Sequence, residues 1–288
     1  MAIGIMAGMV LAGGAGCSTQ PAAETSDGMT IVVANYPLEF LATTLAPSAK
    51  VIDLTPPGTE PHDLELDATQ LEAIASADLV VYQSGFQPAV DDAIAATGAR
   101  EVVDVTAGVA VRDVEGTDES HGQPDPHIWL DPTNMSQMAT TIARALGEDA
   151  ELPLDALTAK LAALDASFRS GLATCQHREF ITTHAAFGYL AARYHLTQIP
   201  IDGIDPTAEP SAARIAEVQA LAKRHGLTTV FTEPLAPGEV AASMADDLGL
   251  STDVLDPVEG VTQTSEGADY LSIMDANLAA LRKAGACE

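Results

Sequence analysis

The sequence predicts an α/β protein of two lobes, each with a mainly parallel sheet flanked by helices, joined by one long rigid helix. Three observations predict it. From residue 29 onward, short β-branched runs alternate with helical periods of roughly 10–20 residues, a pattern that implies parallel strands covered on both faces. The alternation runs through two rounds. Between them lies one helical stretch with no strand beside it. A hydrophobic share of 47% in 288 residues excludes a disordered chain and leaves room for one large domain or two of ordinary size.

In the first round the strands are MTIVVAN (29–35), KVIDLT (50–55), DLVVYQ (78–83) and EVVDVT (101–106). The segment Asp67–Ala77 opens on a capping box of Asp67 and Gln70 and reads as a helix. Another helix runs from Pro132 to about Gly147, with Asp131 placed to cap it and the proline in its first turn. Residues 152–174 (LPLDALTAKLAALDASFRSGLAT) carry Leu154, Leu157, Leu161, Leu164 and Phe168 at three- and four-residue spacing, which makes one apolar stripe. At 1.5 Å per residue that helix would reach roughly 30 Å, about one domain diameter. The second round has strands REFITTH (178–184), LTQIPI (196–201), TTVFTE (228–233) and TDVLDPV (252–258), with helices near 185–194, 210–226, 237–249 and 265–285. The expected domains are therefore a first lobe over 29–148, a linking helix over 149–174 and a second lobe over 175–288.

Residues 1–16 are uncharged and apolar or glycine, too brief to span a bilayer, and read as a signal peptide. Residues 17–28 follow as a flexible tether rich in small and polar residues. Gly14-Ala15-Gly16-Cys17 resembles a bacterial lipobox, so Cys17 is expected to carry lipid and to anchor the protein at the outer face of the cytoplasmic membrane. Two cysteines then remain, Cys175 and Cys287, in an oxidising compartment. They are either free thiols or a bridge; a bridge is expected, closing a loop worth roughly 4–5 kcal/mol in the chain-entropy account.

The charge excludes some partners. With 41 acidic and 13 basic residues the net formal charge is −28, which repels nucleic acid and anionic membrane surfaces. Membrane contact is then expected only through the lipid. Aromatic residues make up 4%, too few for a stacking platform for sugars or bases.

Ligands of open parallel sheets bind beyond the carboxyl ends of the strands. In those loops stand His62 in PPGTEPHDLE, His127 in PDPHIWLDP, His184 at the end of its strand, and Asp256 before Pro257. Three imidazoles and one carboxylate suit four-coordinate Zn²⁺, whereas Mg²⁺ and Ca²⁺ prefer oxygen shells. Supporting or alternative ligands are Glu60, Asp131 and Glu233; a rival placement makes Glu233 the fourth ligand in place of Asp256. Composition and spacing leave open whether these histidines are ligands or surface and capping residues. His177, His195 and His225 read as exposed or capping.

At PHDLE, DPHIWLDP, THAAFGYLAARYHL and VLDPVEG, with ADLVVYQSG and FTEPLAP between them, the chain resembles the zinc/manganese (cluster A-I) solute-binding proteins of bacterial ABC importers. The resemblance runs from about residue 29 to the C-terminus. It implies two lobes bridged by one helix, with the ion in the cleft between them. It places the family's ligands on His62, His127, His184 and Asp256. Manganese carriers usually have glutamate at the third position, so His184 is similar to the zinc type. The stretch 114–126, where many zinc members carry a histidine-rich loop, is acidic here and is expected to be a solvated loop, with transient capture by Asp118, Glu119 and His121 as the alternative. The expected function is therefore an extracytoplasmic, non-enzymatic, monomeric zinc receptor that delivers Zn²⁺ to an ABC permease. A manganese receptor of the same family and a secreted zinc hydrolase are the alternatives.

Overall fold

In the computed structural model the two rounds of alternation become two four-stranded parallel sheets. The structure describes residue 1 and residues 28–114, 122–236 and 238–288. The signal segment, Cys17 and the tether as far as residue 27 lie outside the described residues, as do Asp118, Glu119 and His121.

The first sheet contains β1 (Thr30–Val33), β2 (Lys50–Asp53), β3 (Leu79–Tyr82) and β4 (Val102–Asp104), in the order β2-β1-β3-β4. The second contains β5 (Glu179–Thr182), β6 (Thr197–Pro200), β7 (Thr229–Thr232) and β8 (Ser251–Val254), in the corresponding order β6-β5-β7-β8. All pairings within both sheets are parallel, so each sheet has one carboxyl edge from which every following loop departs. The strands are shorter than the apolar runs that signal them, because the flanking residues belong to the loops.

The first-lobe helices are α1 (Tyr36–Leu45), α2 (Ala68–Ser76), α3 (Pro88–Thr97) and α4 (Pro132–Leu146). Their starts are chemically marked. Asn35 caps α1, Asp67 and Gln70 form a reciprocal capping box on α2, and Asp131 accepts from Thr133 N at 2.7 Å ahead of Pro132. The linking helix is α5 (Glu151–Gly171), whose Leu157, Leu161, Leu164 and Phe168 are buried. The second lobe adds α6 (Gly188–Tyr194), α7 (Ala212–His225), α8 (Glu239–Leu248) and α9 (Tyr270–Ala284). α5 packs on α1 and α4 of the first lobe and on α9 of the second. Two starts lie three or more residues from the sequence expectation. α6 begins three residues later because the backbone after β5 is committed elsewhere: Ala185 N donates to Gly203 O at 2.8 Å. α9 begins at Tyr270, where Asp269 and Ser272 make its capping box.

Cys175 and Cys287 are bridged. Backbone bonds from Gln176 and His177 to Gly285 O, at 2.9 and 3.1 Å, reinforce the same junction. Among the described residues no helix is long and apolar enough to cross a membrane.

Candidate metal centre

Three imidazoles and a carboxylate converge between the lobes. His62 stands in the loop after β2, where its backbone N donates to Glu60 Oε1 at 3.1 Å and its ring meets the edge of Phe86. The buried Gln87 side chain holds that loop by donating to Pro61 O at 3.1 Å. His127 precedes a single buried turn of 3₁₀ helix, Ile128–Leu130. Asp125 Oδ1 accepts from both its backbone N, at 3.0 Å, and its ring Nδ1, at 2.8 Å. His184 follows β5, and its carbonyl accepts from Thr182 Oγ1 and Gln198 Nε2 at 2.7 and 2.8 Å. The fourth group is Glu259, in the loop after β8.

Glu259 Oε1 lies 3.1 Å from His62 Nε2, 3.1 Å from His127 Nε2 and 3.7 Å from His184 Nε2. His127 Nε2 is 3.3 Å from His62 Nε2 and 3.4 Å from His184 Nε2. For bonds of about 2.0–2.1 Å, a tetrahedron about Zn²⁺ has edges of roughly 3.3–3.4 Å. The measured separations bracket that value. The four donor atoms all lie within 4.8 Å of one another.

Asp256, expected as the fourth donor, is not in this group. Its Oδ1 accepts from Val258 N at 2.8 Å, an Asx turn made by the short side chain, and the longer Glu259 reaches the imidazoles instead. The only sequence signal was a second carboxylate three residues on, in DPVEG. Asp131 caps α4 and lies 3.6 Å from Arg193 Nε, with no contact to an imidazole among those found in the described residues. Glu60 Oε1 stands 3.9 Å from His62 Nε2, at the edge of the cluster. Glu233, weighed as a fourth ligand, instead lies behind His184. One of its oxygens meets Nδ1 and the other accepts from His184 N at 3.2 Å and from Thr183 Oγ1. Asp125 was missed altogether; its signal is only the Asp-Pro-His spacing. Of the other histidines, His195 is the exposed left-handed cap of α6, His225 pairs with Glu179 at 3.1 Å, and the half-buried His177 bonds through its backbone.

The arrangement gives each of two imidazoles a carboxylate at Nδ1 and leaves Nε2 facing the centre, which fixes the tautomer a metal ligand needs. His127 and His184 are fully buried and Glu259 is 2% exposed. Burial alone would push His127 down, but hydrogen bonds to Asp125 and Glu259 outweigh it and hold it above its usual range. The same contest at His184, with Glu233 and Glu259 as partners, holds it well above. Burial would raise Glu259, yet the hydrogen bonds from His127 and His62 and the charge of His184 hold it well below the usual carboxylate range. His62, the one with partial exposure, is lowered chiefly by burial. Burial and the charge of Glu259 push Glu60 up to about 7.

The model of the zinc-uptake complex component A family, periplasmic (ZnuA), matches residues 31–284. The chain belongs to this family. Among ZnuA relatives, the high-affinity zinc uptake system protein of Bacillus subtilis strain 168 is 33% identical over 288 aligned positions, covering 92% of this chain and 90% of the relative. The zinc-binding lipoprotein AdcA of Streptococcus pneumoniae serotype 4 is also 33% identical, across 93% of this chain but only 57% of AdcA, so the chain spans a little over half of that lipoprotein. The crystal structure of the Zn(II)-bound ZnuA-like domain of S. pneumoniae AdcA superposes with a TM-score of 0.76 at 32% identity, covering 90% of this chain and 99% of that one.

Proposed function

We propose that this member of the ZnuA family is an extracytoplasmic receptor that captures Zn²⁺ between its lobes and delivers it to the permease of an ABC importer. The observation that carries the reading is the spacing of four donor atoms, with contacts of 3.1–3.7 Å between Glu259 and the three imidazoles. The ligands are His62, His127 and His184 through Nε2, and Glu259 through a carboxylate oxygen. Three nitrogens and one oxygen favour zinc over manganese, which suits carboxylate and carbonyl shells. The Zn(II)-bound AdcA domain, close in fold, supports the same cargo.

The carboxylate fills the fourth position, so no open site remains to activate water, and the centre holds its ion rather than performing hydrolysis. Lipid on Cys17 anchors a monomeric receptor at the outer face of the cytoplasmic membrane, as the lipoprotein relative supports. The test is metal analysis of protein purified without chelator, followed by competition between zinc and manganese. One zinc per chain, not displaced by excess manganese, is expected. Metal-free protein that takes up no zinc, or preference for manganese, overturns the reading.

A further inference from the structure

The turn that delivers Glu259 is held from two directions. From the second lobe, Asn277 on α9 brackets Asp256: its Oδ1 accepts from Asp256 N at 2.8 Å and its Nδ2 donates to Asp256 O at 2.7 Å. From the first lobe, Trp129 Nε1 donates to Pro257 O at 2.7 Å. Trp129 is itself fixed, because Tyr270 Oη donates to its carbonyl at 2.7 Å. It also stands two residues beyond His127, with their rings 5.4 Å apart.

Inside that double hold the backbone adopts a conformation it would otherwise avoid. Val258 sits at φ +60°, one of three non-glycine residues with positive φ among the described residues. For a β-branched side chain this is a disfavoured region, and it persists only where the surroundings over-determine it. What determines it here is the 2.8 Å bond from Val258 N to Asp256 Oδ1 together with complete burial of the valine. The next residue is Glu259.

Resting on the reading that Glu259 ligates the cargo, we infer that Asp256 and Trp129 are positioning residues for that carboxylate, one by bending the Val258 turn and the other by latching it to the histidine-bearing segment of the first lobe. Asp256 acts through an acceptor oxygen and not through charge. Trp129 acts through its indole N–H and not only through ring volume. The two bonds make the place of Glu259 depend on contacts from both lobes.

The test is zinc affinity, by competition with a chromophoric chelator, for D256A, D256N and W129F, with D256A and W129F also built on E259A. Support for a metal ligand is worth on the order of 10–100-fold in affinity. D256A and W129F are each expected to lose affinity in that range when Glu259 is present. On E259A, where there is no carboxylate left to aim, the same substitutions should cost less than about threefold, a non-additivity that isolates their action through Glu259. D256N, which keeps an acceptor for Val258 N, should bind within about threefold of the parent. Equal losses with and without Glu259 overturn the inference, since Trp129 would then act through His127 or the fold. A loss in D256N as large as in D256A also overturns it. Should D256A fail to fold, W129F on the two backgrounds decides the matter. If E259A alone costs no affinity, it is the ligand reading that falls, and the two failures are thereby distinguished.

Discussion

At the centre itself, zinc competes with protons for the imidazole nitrogens. His127 and His184 are held above their ordinary range by hydrogen bonds and charge from Asp125, Glu233 and Glu259, so their imidazoles keep a proton to higher pH than a free histidine does. Zinc needs neutral imidazoles and must displace those protons. Calorimetry in buffers of different ionisation enthalpy should therefore show protons released on binding, and affinity should fall as pH drops from about 8 to 5. Binding without proton release would contradict imidazole ligation. Stability follows the same linkage. A raised folded value for His184 means its contribution is full below about 6.5 and is lost as pH rises through the folded value. The loaded protein lacks that dependence, so the rise in melting temperature caused by zinc should be larger at pH 8 than at pH 6. E233A and D125A, which leave the four donors in place, should each lower zinc affinity on the order of 10–100-fold, read by the same chelator competition. At this scale the histidines were legible, because each stands in a loop beyond the carboxyl edge of a sheet. Glu259 was not. In Asp-Pro-Val-Glu, which of two carboxylates turns the chain and which reaches the imidazoles depends on a left-handed valine that no pattern of polarity encodes.

Among the elements, the secondary structure was readable from periodicity, and the neighbour relations were not. The alternation of β-branched runs marks eight strands, yet the shared order with β1 and β5 inside their sheets comes from how the crossover helices pack. The length of α5 was legible in its leucine spacing, but its simultaneous packing on α4 and α9 depends on where both lobes end up. Leu161 is fully buried in that packing, so L161A should destabilise the fold by about 2–5 kcal/mol. The Cys175–Cys287 bridge ties the end of α9 to the segment before β5, and C175S with C287S should cost about 2–5 kcal/mol. Both losses are read as shifted denaturation midpoints. Neither site touches the four donors, so zinc affinity of the folded fraction should stay within about threefold.

Across the whole molecule, the question is how far two lobes can move to admit an ion. Wide hinge closure requires a thin, polar junction with few residues to absorb the bend. Here one hydrophobic cluster runs from the first sheet through α5 into the second lobe, taking in Phe168, Phe180, Phe187 and Tyr270. Phe40 of α1 meets Tyr270 of α9 at a ring separation of 5.4 Å, and Trp129 donates across the cleft to Pro257. Opening the lobes would expose that apolar surface and break buried bonds, whereas moving the loop around His62, the least buried of the three imidazoles, exposes little. Loading should therefore be local. Small-angle scattering of metal-free and zinc-loaded protein should give superimposable curves, while hydrogen exchange slows in the loop carrying Glu60 and His62 and in the turn at Val258. A clear contraction on loading would mean that the continuous core yields as a hinge, and would contradict the rigid role assigned to α5.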